Sequence, residues 1–488
     1  MAASDAFERF RIAFPDYDST SALDELRAAD YARLDEQRHI YLDYTGAGLH
    51  GASQVREHAE WLASSVCGNP HSASPASSAA TSAVEETRRA VLRWFNATRD
   101  YVAVFTQNAT AALKLVGESY PFQDGSRLLL SADNHNSVNG VREFAAARGA
   151  TIDYAALTFP ELRLDRSDVL ARLGGKTPAP CLFAFPAQSN FSGVKHPLDL
   201  VTDAKALGWD VVLDAAAFVP TNRLDLEAVR PDFVTISFYK MFGYPTGVGC
   251  LLARRNALAR LARPWFAGGT VNFATVQARA HLLSPGEAGF EDGTMNFLSI
   301  PAVAIGLRHL ERAGMDRIAT RVRCLSGWML QELLAMRHSN GRSLVRVYGP
   351  MTTAMRGGVV TMNLYDPDGH LLDYRRIEEL AGVQGISLRT GCFCNPGTGE
   401  TAEHITEDDI QAALDESHEM SLPRFLQFIT HRGGKSAGAI RVSVGLASTF
   451  ADAQRFVEFA ASFRDQTRLS IGETSFDIAS CRIIRDGS

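Results

Sequence analysis

Short apolar runs that end in a polar residue or a turn alternate along the chain with stretches of helical periodicity. The runs predict buried β-strands at Val102–Phe105, Arg127–Ser131, Cys181–Phe185, Val211–Leu213 and Phe233–Ile236. Between and after them, apolar residues at helical spacing predict helices at Val84–Asn96, from about Ala109, and at Ile300–Ala313. This alternation is typical of an α/β fold whose mostly parallel mixed sheet lies between helices.

The pattern changes after residue 313. A long helix is predicted at Met315–Arg337, and it is followed by a mixture of shorter strands and helices, namely Gly357–Leu364, Tyr374–Gly382, Gly438–Gly445 and Thr449–Phe463. The Gly-rich turns at 265–271 and 290–297 are predicted to flank a helix. We therefore expect an N-terminal helical segment (1–38) that packs on the small domain, a large domain (39–313), a smaller α+β domain (314–466) and a tail (467–488).

Two charged residues come directly or shortly after apolar runs that are predicted to be buried. Asp214 ends the run Val211–Leu213, and Lys240 comes shortly after the run Phe233–Ile236. Open α/β sheets place their ligand crevice at the carboxyl ends of the strands. A lysine can form a Schiff base with the aldehyde of pyridoxal 5'-phosphate (PLP), and an acid can pair with its pyridine nitrogen. The pair therefore predicts a PLP site, with Lys240 as the anchor and Asp214 as the ring partner.

Composition excludes several other classes of protein. The 488 residues are 46% hydrophobic, which is enough for a large core, and the net charge of -6 leaves no basic footprint for nucleic acid or an anionic membrane. The first ten residues carry acids and lack the apolar centre of a secretory signal. We expect a cytoplasmic protein with no nucleic-acid or membrane partner.

Only two of the seven cysteines, Cys392 and Cys394, lie close together in the sequence. An odd number of thiols in a chain of this length does not indicate a disulfide framework. A zinc site needs about four ligands, and this pair has no second Cys or His pair at a usual spacing, so we expect no metal. Because the pair lies on a loop punctuated by Gly391 and Pro396, a mobile nucleophilic thiol is one interpretation and a loop cysteine without a role is the other.

The stretch Val102–Leu115 predicts a strand, a polar turn and a helix that begins at about Ala109. Free backbone amides and the positive end of the helix dipole suit a phosphate group at such a position. An ordinary capped helix would have the same pattern.

Several separate motifs resemble one family. The segment Ser237-Phe238-Tyr239-Lys240 with Gly243–Gly249 resembles the lysine segment of class V aminotransferase-fold enzymes, a group that includes the cysteine desulfurases. Tyr41-Leu42-Asp43, Cys181–Gly193 and Arg389-Thr390-Gly391 followed by Cys394 resemble further motifs of that group, in particular of the PLP-binding N-terminal part of the molybdenum cofactor sulfurases. The resemblance implies PLP-dependent transferase fold type I and a homodimer with shared sites.

The resemblance also implies roles for individual residues. Ala109, Thr110, Ser237 and Tyr239 would hold the phosphate, and Thr270 would reach the phosphate of the neighbouring subunit. His135 would stack on the ring and move protons, Asn190 would lie near the ring oxygen and the substrate carboxylate, and Arg441 would bind that carboxylate. Cys394 would carry the persulfide; a surface position for Arg441 and a structural role for His135 are the alternatives on the residues alone.

The chain departs from the family pattern in two places. Where many desulfurases have Asp-x-x-Gln, this chain has Asp214 and then Ala217, which cannot donate a hydrogen bond, so Asn190 or Gln188 would take over. Animal and plant molybdenum cofactor sulfurases continue into a second domain that we do not expect here, which leaves the sulfur acceptor, a protein or a cofactor, open.

The sequence therefore predicts a PLP-dependent cysteine desulfurase or C–S lyase that converts L-cysteine to alanine and leaves a persulfide on Cys394. A PLP-dependent aminotransferase, racemase or β-lyase acting on another amino acid in a biosynthetic pathway would keep the fold and change the chemistry. A non-catalytic protein of the same fold is the third class, and the presence of Lys240, Asp214 and Cys394 argues against it.

Overall fold

A computed structural model describes residues 2–70, 72–175, 177–416, 424–425, 428–429, 436, 438–472, 475–477 and 482–484. The helices are α1 (Ala2–Ala13), α2 (Ala22–Asp30), α3 (Arg33–Glu36), α4 (Ala52–Ser64), α5 (Pro75–Trp94), α6 (Ala109–Ser119), α7 (Asn136–Asn139), α8 (Val141–Ala146), α9 (Arg166–Leu173), α10 (Leu200–Ala206), α11 (Leu226–Val229), α12 (Phe238–Phe242), α13 (Arg255–Leu258), α14 (Ile300–Ala313), α15 (Met315–Ala335), α16 (Tyr374–Val383), α17 (Pro396–Ala402), α18 (Glu407–Glu416), α19 (Phe450–Ala461) and α20 (Arg468–Ile471), with 3-10 turns at Pro15–Thr20 and Gly286–Phe290.

The strands are β1 (Ile40–Tyr41), β2 (Tyr101–Thr106), β3 (Arg127–Ser131), β4 (Thr151–Ala155), β5 (Leu157–Thr158), β6 (Arg163–Leu164), β7 (Cys181–Pro186), β8 (Asp210–Asp214), β9 (Phe233–Ser237), β10 (Gly249–Arg254), β11 (Val271–Ala274), β12 (His281–Leu283), β13 (Val345–Tyr348), β14 (Val359–Leu364), β15 (Ile386–Ser387), β16 (Arg389–Gly391), β17 (Ala439–Ser443), β18 (Ser475–Asp477) and β19 (Arg482–Ile484).

A seven-stranded sheet in the order β2-β10-β9-β8-β7-β3-β4 forms the centre of residues 39–313. Only β10 runs antiparallel to its neighbours in this sheet. The other six strands share a direction, so their carboxyl ends lie along one edge. The predicted α/β class with a mixed, mostly parallel sheet is confirmed.

The sheet is buried on both faces, which is why its strands are continuous apolar runs in the sequence. In β8, Val211 and Leu213 belong to one hydrophobic cluster and Val212 to the other, because successive side chains point to opposite faces. All three are at most 1% exposed. This burial fixes the position of the strand end that carries Asp214.

A second sheet, β13-β14-β17-β16, is entirely antiparallel and lies within residues 314–466. The short strand β1 pairs in parallel with β15, so the chain segment after the first helices joins this region. The loop that follows β16 carries Cys392 and Cys394.

The N-terminal helices pack against α15 and α19. The Phe10 ring lies 4.7 Å from that of Phe450 and 5.8 Å from that of Trp328, centroid to centroid. Two buried arginines add charge-assisted hydrogen bonds: Arg27 Nη1 donates to Asp452 at 2.5 Å, and Arg321 to Asp24 at 2.5 Å.

Two predicted details differ from the structure. The helix expected between the Gly-rich turns at 265–271 and 290–297 is instead the hairpin of β11 and β12, with a 3-10 turn after it. Helix α5 begins at Pro75, well before Val84, because Ser74 caps it by accepting from the backbone N–H of Ser77. The apolar periodicity of the sequence begins later than the helix because its first two turns are rich in Ser and Ala.

Candidate active site

A cavity lies at the carboxyl edge of the large sheet. Its wall collects residues that follow five different strands, which in an open α/β sheet is the usual position of a ligand crevice. The lining residues are Asn108, Ala109, Thr110, Leu113, His135, Ser137, Pro186, Gln188, Asn190, Asp214, Ala216, Ala217, Ser237, Tyr239 and Lys240. The structure thus brings eight of the eleven predicted site residues to one cavity, and Cys394, Arg441 and Thr270 lie outside its lining.

Helix α6 points its N-terminus into this cavity. Asn108 caps the helix by accepting from the backbone N–H of Ala111 at 2.9 Å, and the backbone N–H of Ala109 donates to Ser237 Oγ at 3.0 Å. Gly249 allows this arrangement, since a Cβ there would lie 2.5 Å from Asn108 Cα. The Thr110 hydroxyl pairs with the Ser137 hydroxyl at 2.7 Å. Hydroxyl groups and a helix N-terminus thus form a cup suited to an anion.

Asp214 lies at the end of β8 and lines the cavity. Its Oδ1 accepts from the backbone N–H of Ala216 at 3.0 Å and from Thr235 Oγ1 at 3.3 Å. Both bonds use the same oxygen and fix the orientation of the carboxylate. The other oxygen, Oδ2, is therefore the one oriented for a ligand.

Lys240 lies in the short helix α12, directly after β9. Burial lowers the pKa of its amine, while the negative charge of Asp214 opposes this shift and the positive charge of Arg441 adds to it. A lowered pKa increases the fraction of neutral amine at neutral pH, which is the nucleophilic form. The half-buried Lys240 is thus suited to covalent bonding with a carbonyl group.

His135 caps the short helix α7 through its ring nitrogen. Nδ1 lies 3.1 Å from the backbone N–H of Ser137 and 3.0 Å from Ser137 Oγ. Because a backbone N–H can only donate, Nδ1 is an acceptor and the neutral ring carries its proton on Nε2. Burial lowers the pKa of His135, an effect that Asp214 partly offsets. At neutral pH the ring is therefore neutral, with Nε2–H as a donor.

The cysteine loop, defined as residues 392–394, contacts the segments that follow β3 and β7, at Asn136 and Asn190. Cys394 is exposed and Cys392 is half-buried. Phe393 and Cys394 both have left-handed backbones, with φ of 56° and 53°. Such conformations cost a non-glycine residue about 1–3 kcal/mol each and persist only where the surroundings hold them.

Three hydrogen bonds hold the loop in this conformation. The Cys394 carbonyl accepts from the Asn136 backbone N–H at 2.7 Å, and the Phe393 carbonyl accepts from Asn190 Nδ2 at 2.7 Å. The Cys392 carbonyl accepts from the backbone N–H of Asn395 at 3.0 Å. The Cys394 thiol acts on the pKa values of both Lys240 and Arg441, whereas Cys392 acts on that of Tyr374. The hydrogen bonds tie the loop to Asn190, which lines the cavity, and to Asn136, which follows His135.

The fully buried Asn395 was missed by sequence reasoning. Its Nδ2 donates to the Asp133 carbonyl at 2.8 Å and to Asn190 Oδ1 at 2.9 Å, and its Oδ1 accepts from Thr398. It therefore ties the cysteine loop to the segment that precedes His135. The available signal was its position directly after Cys394 and before Pro396, which is typical of a helix N-cap.

The side chain of Asn190 makes two hydrogen bonds, one to Phe393 of the cysteine loop and one to Asn395 directly after it. Gln188, two residues earlier, is 3% exposed and lines the same cavity, and its Oε1 has no hydrogen-bond partner among the described residues. Gly357 makes room for it, since a Cβ there would lie 2.2 Å from Oε1. A buried amide oxygen without a partner is costly, so Gln188 is the amide better placed to bind a ligand.

Arg441 is 4% exposed. Burial lowers the pKa of its guanidinium group, and the negative charge of the neighbouring Asp43 opposes this shift. Its Nη1 donates to the Asn190 carbonyl at 2.9 Å and its Nη2 to Asp43 Oδ1 at 3.0 Å. Its Nε is buried and has no partner among the described residues. This N–H is a free donor for an anionic group. Asp43 was not predicted as a site residue, although it lies in the Tyr41-Leu42-Asp43 motif.

Thr270, like Arg441 and Cys394, lies outside the cavity lining. It is fully buried, and its Oγ1 donates to the Ala267 carbonyl at 2.7 Å within its own turn. To reach a phosphate in a neighbouring subunit, the hydroxyl would have to exchange this bond.

Tyr239 lines the cavity, and burial raises the pKa of its phenol, so it is a neutral hydroxyl at physiological pH.

The donor set fits PLP. The N-terminus of α6 and the hydroxyl groups beside it would hold the phosphate, Asp214 Oδ2 would pair with the ring nitrogen, and Lys240 would provide the amine. The unpartnered Gln188 Oε1 and Arg441 Nε are buried polar atoms that a bound cofactor and substrate would satisfy.

Two further observations concern predicted absences. No helix in the described parts of the chain is long and apolar enough to span a membrane. Among the same residues, Cys392 and Cys394 do not belong to any group of three side chains with metal-ligand spacing.

The sequence profile of the aminotransferase class-V family matches residues 40–456. The molybdenum cofactor sulfurase of Solanum lycopersicum is 37% identical to the chain, and the match covers 91% of the chain and 57% of the relative. The Arabidopsis thaliana protein of the same name is also 37% identical, and the match covers 93% of the chain and 60% of the relative. The human protein of that name is 34% identical over 91% of the chain and 51% of its own length. The chain thus spans between about half and three fifths of these relatives.

Solved structures of cysteine desulfurases have the same fold. The enzyme from Thermococcus onnurineus NA1 superposes with a TM-score of 0.72 at 23% identity, covering 90% of this chain and 97% of its own. CsdA from Escherichia coli superposes with a TM-score of 0.68 at 19% identity, covering 90% and 98%. At these identities the likeness concerns the fold alone.

Proposed function

Because this chain belongs to the aminotransferase class-V family, we propose that it is a PLP-dependent cysteine desulfurase that moves sulfur from L-cysteine to Cys394. The observation that carries the proposal is the contact of two regions beside one cavity. Lys240, Asp214 and His135 line the cavity, and the loop that carries Cys394 is hydrogen-bonded to Asn190, which lines the same cavity, and to Asn136, which follows His135. The relatives named molybdenum cofactor sulfurase support a sulfur-transfer role.

The residues divide the binding of the cofactor. Thr110, Ser237 and Tyr239 would hold the phosphate at the N-terminus of α6, and Asp214 Oδ2 would accept from the protonated ring nitrogen. Lys240 would be the anchor for the aldehyde. When bound, PLP supplies an electron-withdrawing ring that stabilises negative charge at the substrate α-carbon.

L-Cysteine binds with its carboxylate on Arg441, at the Nε–H that is left without a partner. Arg441 is already oriented by Asn190 and Asp43, so binding does not require it to be ordered. Lys240 Nζ, as a neutral amine, takes the proton from the α-carbon and returns a proton to that carbon after the Cβ–Sγ bond has broken.

The thiolate of Cys394 then attacks the sulfur of the substrate. An S–S bond forms as the Cβ–Sγ bond breaks, and the electron pair of that bond stays on Cβ, which gains a proton and becomes a methyl group. Cysteine and one enzyme thiol thus give alanine and one enzyme persulfide, with no external oxidant or reductant. His135 Nε2–H is a donor in reach of the cavity and can supply a proton.

The test is mass spectrometry of the PLP-loaded protein after brief exposure to L-cysteine, with alanine measured in the same sample. We expect one added sulfur on the peptide that contains Cys394, with alanine formed. Cys394→Ala should lose the added sulfur, and Cys392→Ala is the matched control because Cys392 is the other free thiol of the same loop. Bound PLP with neither added sulfur nor alanine would contradict the proposal and favour an aminotransferase, racemase or β-lyase.

We also propose a homodimer, which the resemblance implies. The hairpin of β11 and β12 exposes large apolar side chains, with Phe273 57%, Val276 93% and Leu282 62% exposed. An exposed apolar cluster of this kind marks an interaction surface. Size-exclusion chromatography with light scattering should give twice the chain mass, and Val276→Asp should shift the protein towards the monomer.

A further inference from the structure

Two arginines face each other across the antiparallel pair β16 and β17. Arg389 lies directly opposite Arg441 in the register of the two strands. Like charges at opposite positions of a sheet destabilise it. The side chain of Arg441 is 5% exposed, so water does little to screen the repulsion on its side.

The carboxylate of Asp43 lies between the two guanidinium groups. Its Oδ1 accepts from Arg441 Nη2 at 3.0 Å, and its Oδ2 accepts from Arg389 Nη2 at 2.6 Å and from Arg389 Nε at 3.0 Å. The Asp43 side chain is 9% exposed. One buried carboxylate therefore bonds two arginines on neighbouring strands and reduces their repulsion, by charge-assisted hydrogen bonds that are stronger than neutral ones.

The position of Asp43 is itself fixed. Its carbonyl accepts from the backbone N–H groups of Gly46 at 3.0 Å and Ala47 at 3.1 Å. Gly46 packs directly on the carboxylate, since a Cβ there would lie 2.5 Å from Oδ2. The neighbouring Leu42 accepts from the backbone N–H of Ser443 in β17 at 2.7 Å. Asp43 is thus held in one position by contacts with β17 and with the turn that follows β1.

The two arginines lead to different parts of the site. Arg389 begins β16, the strand that runs directly into the cysteine loop. Arg441 has its guanidinium 4.7 Å from the centre of the Phe393 ring in that loop. Its free Nε–H is the donor assigned to the substrate carboxylate. A change at Arg441 is therefore transmitted to the loop both through Phe393 and through Asp43 and Arg389.

We propose that Asp43 is a positioning residue that joins the carboxylate site of Arg441 to the cysteine loop, so that binding of an amino-acid carboxylate sets the position of Cys394. This inference rests on the proposed function for the identity of the ligand. Asp43 does not touch the substrate; it holds Arg441 in place and holds Arg389 against it. An incoming carboxylate binds Arg441 together with Asp43. It thereby holds Arg441, Asp43 and Arg389 more firmly in place, and with Arg389 the strand β16 that leads into the cysteine loop.

The test is the rate at which iodoacetamide alkylates Cys394 in the full-length, PLP-loaded protein, measured by peptide mass spectrometry in a Cys392→Ser background. L-Alanine, which carries the carboxylate and lacks the sulfur, should slow the alkylation in this parent protein. In Asp43→Asn, we expect faster alkylation without L-alanine and little slowing with it. The KM for L-cysteine should rise about tenfold, the loss expected for one charge-assisted hydrogen bond.

Asp18→Asn is the matched control, because Asp18 also pairs with an arginine, Arg11 at 2.5 Å, on an exposed surface. It should leave the alkylation rate and its response to L-alanine unchanged. If Asp43→Asn does not fold, Arg389→Ala removes only the loop side of the connection, and it should likewise abolish the response to L-alanine while PLP remains bound.

The proposal is overturned if L-alanine does not slow alkylation in the parent, or if the foldable variant alkylates like the parent with and without L-alanine. The proposed function has a separate readout, which is the sulfur gained from L-cysteine. A parent that responds to L-alanine but gains no sulfur would contradict the desulfurase and leave the assignment of Asp43 standing.

Discussion

Lys240 and Asp214 lie at the ends of parallel strands that are buried on both faces, whereas Cys394 lies on a loop at the end of a short antiparallel strand. The strand ends are held by the packing of two hydrophobic clusters. The cysteine loop is held by a few polar contacts, from Asn136, Asn190 and Asn395, against a left-handed backbone.

This difference corresponds to two different tasks. A cofactor needs side chains whose positions do not change during the reaction, and buried strands supply them. A thiol that accepts sulfur and then passes it on has to move, and a loop held by hydrogen bonds can open at a lower free energy than a packed strand. We therefore expect mutations on the two sides of the cavity to affect different measurements.

The largest expected effect is on the large-sheet side. Lys240→Ala removes the amine assigned to proton transfer, so alanine formation should fall by about 10²–10⁴-fold. The Cys394 alkylation rate should stay close to that of the parent. Lys114→Ala, at an exposed lysine (side chain 67% exposed), is the control and should change neither. Alanine formation at the parental rate in Lys240→Ala would remove Lys240 from the chemistry.

An intermediate effect is expected on the loop side. Asn395→Ala leaves Asn190 Oδ1 and the Asp133 carbonyl without a donor, which should lower the free energy of unfolding by about 1–3 kcal/mol. Alkylation of Cys394 should become faster and persulfide formation slower, with PLP affinity retained. Urea denaturation and a PLP titration measure these effects. Asn340→Ala, at an exposed asparagine, is the control; a loss of PLP affinity equal to the loss of persulfide would contradict the separation of the two sides.

The smallest expected effect is the pH dependence contributed by His135. Burial lowers its folded-state pKa below the usual 6.5, so the unfolded chain binds the proton first as the pH falls. The native state should therefore lose stability from about pH 6.5 downwards until the folded pKa is reached, by at most about 1.4 kcal/mol per pH unit.

The measurement is urea denaturation of the parent and His135→Gln at pH 7.5 and 5.5. The variant lacks the titrating ring, so its loss of stability between the two values should be smaller. Equal losses in the two proteins would show that His135 does not have a lowered pKa.

Much of the fold was predictable from the sequence, for a physical reason. Strands buried on both faces must be apolar throughout, so β3 was predicted with the bounds that the structure has, and β8 and β9 within two residues. The bounds of helix α14 were also predicted, from its helical spacing of apolar residues. The hairpin of β11 and β12 was predicted as a helix because its exposed strands lack a buried face, and with it the alternating pattern that would indicate a strand.

The candidate site was predictable only in part. Motifs in the sequence name Lys240, Asp214 and Cys394, but they do not indicate which partner each side chain has. Asn190 was expected at the cofactor, and the structure shows its amide bonded to Phe393 and Asn395. The role of Thr270 stays a prediction, since it concerns a second subunit.

By itself, the sequence determined the α/β class, the strand ends that carry the lysine and the aspartate, and the family, because these depend on local apolar patterns and short contiguous motifs. Only the tertiary structure decided that Asp43 lies between Arg389 and Arg441, which are 346 and 398 residues away along the chain. Contacts over such distances depend on the register of β16 against β17 and on the turn after β1. No local pattern carries that information, because it arises only when the two sheets pack around the cavity.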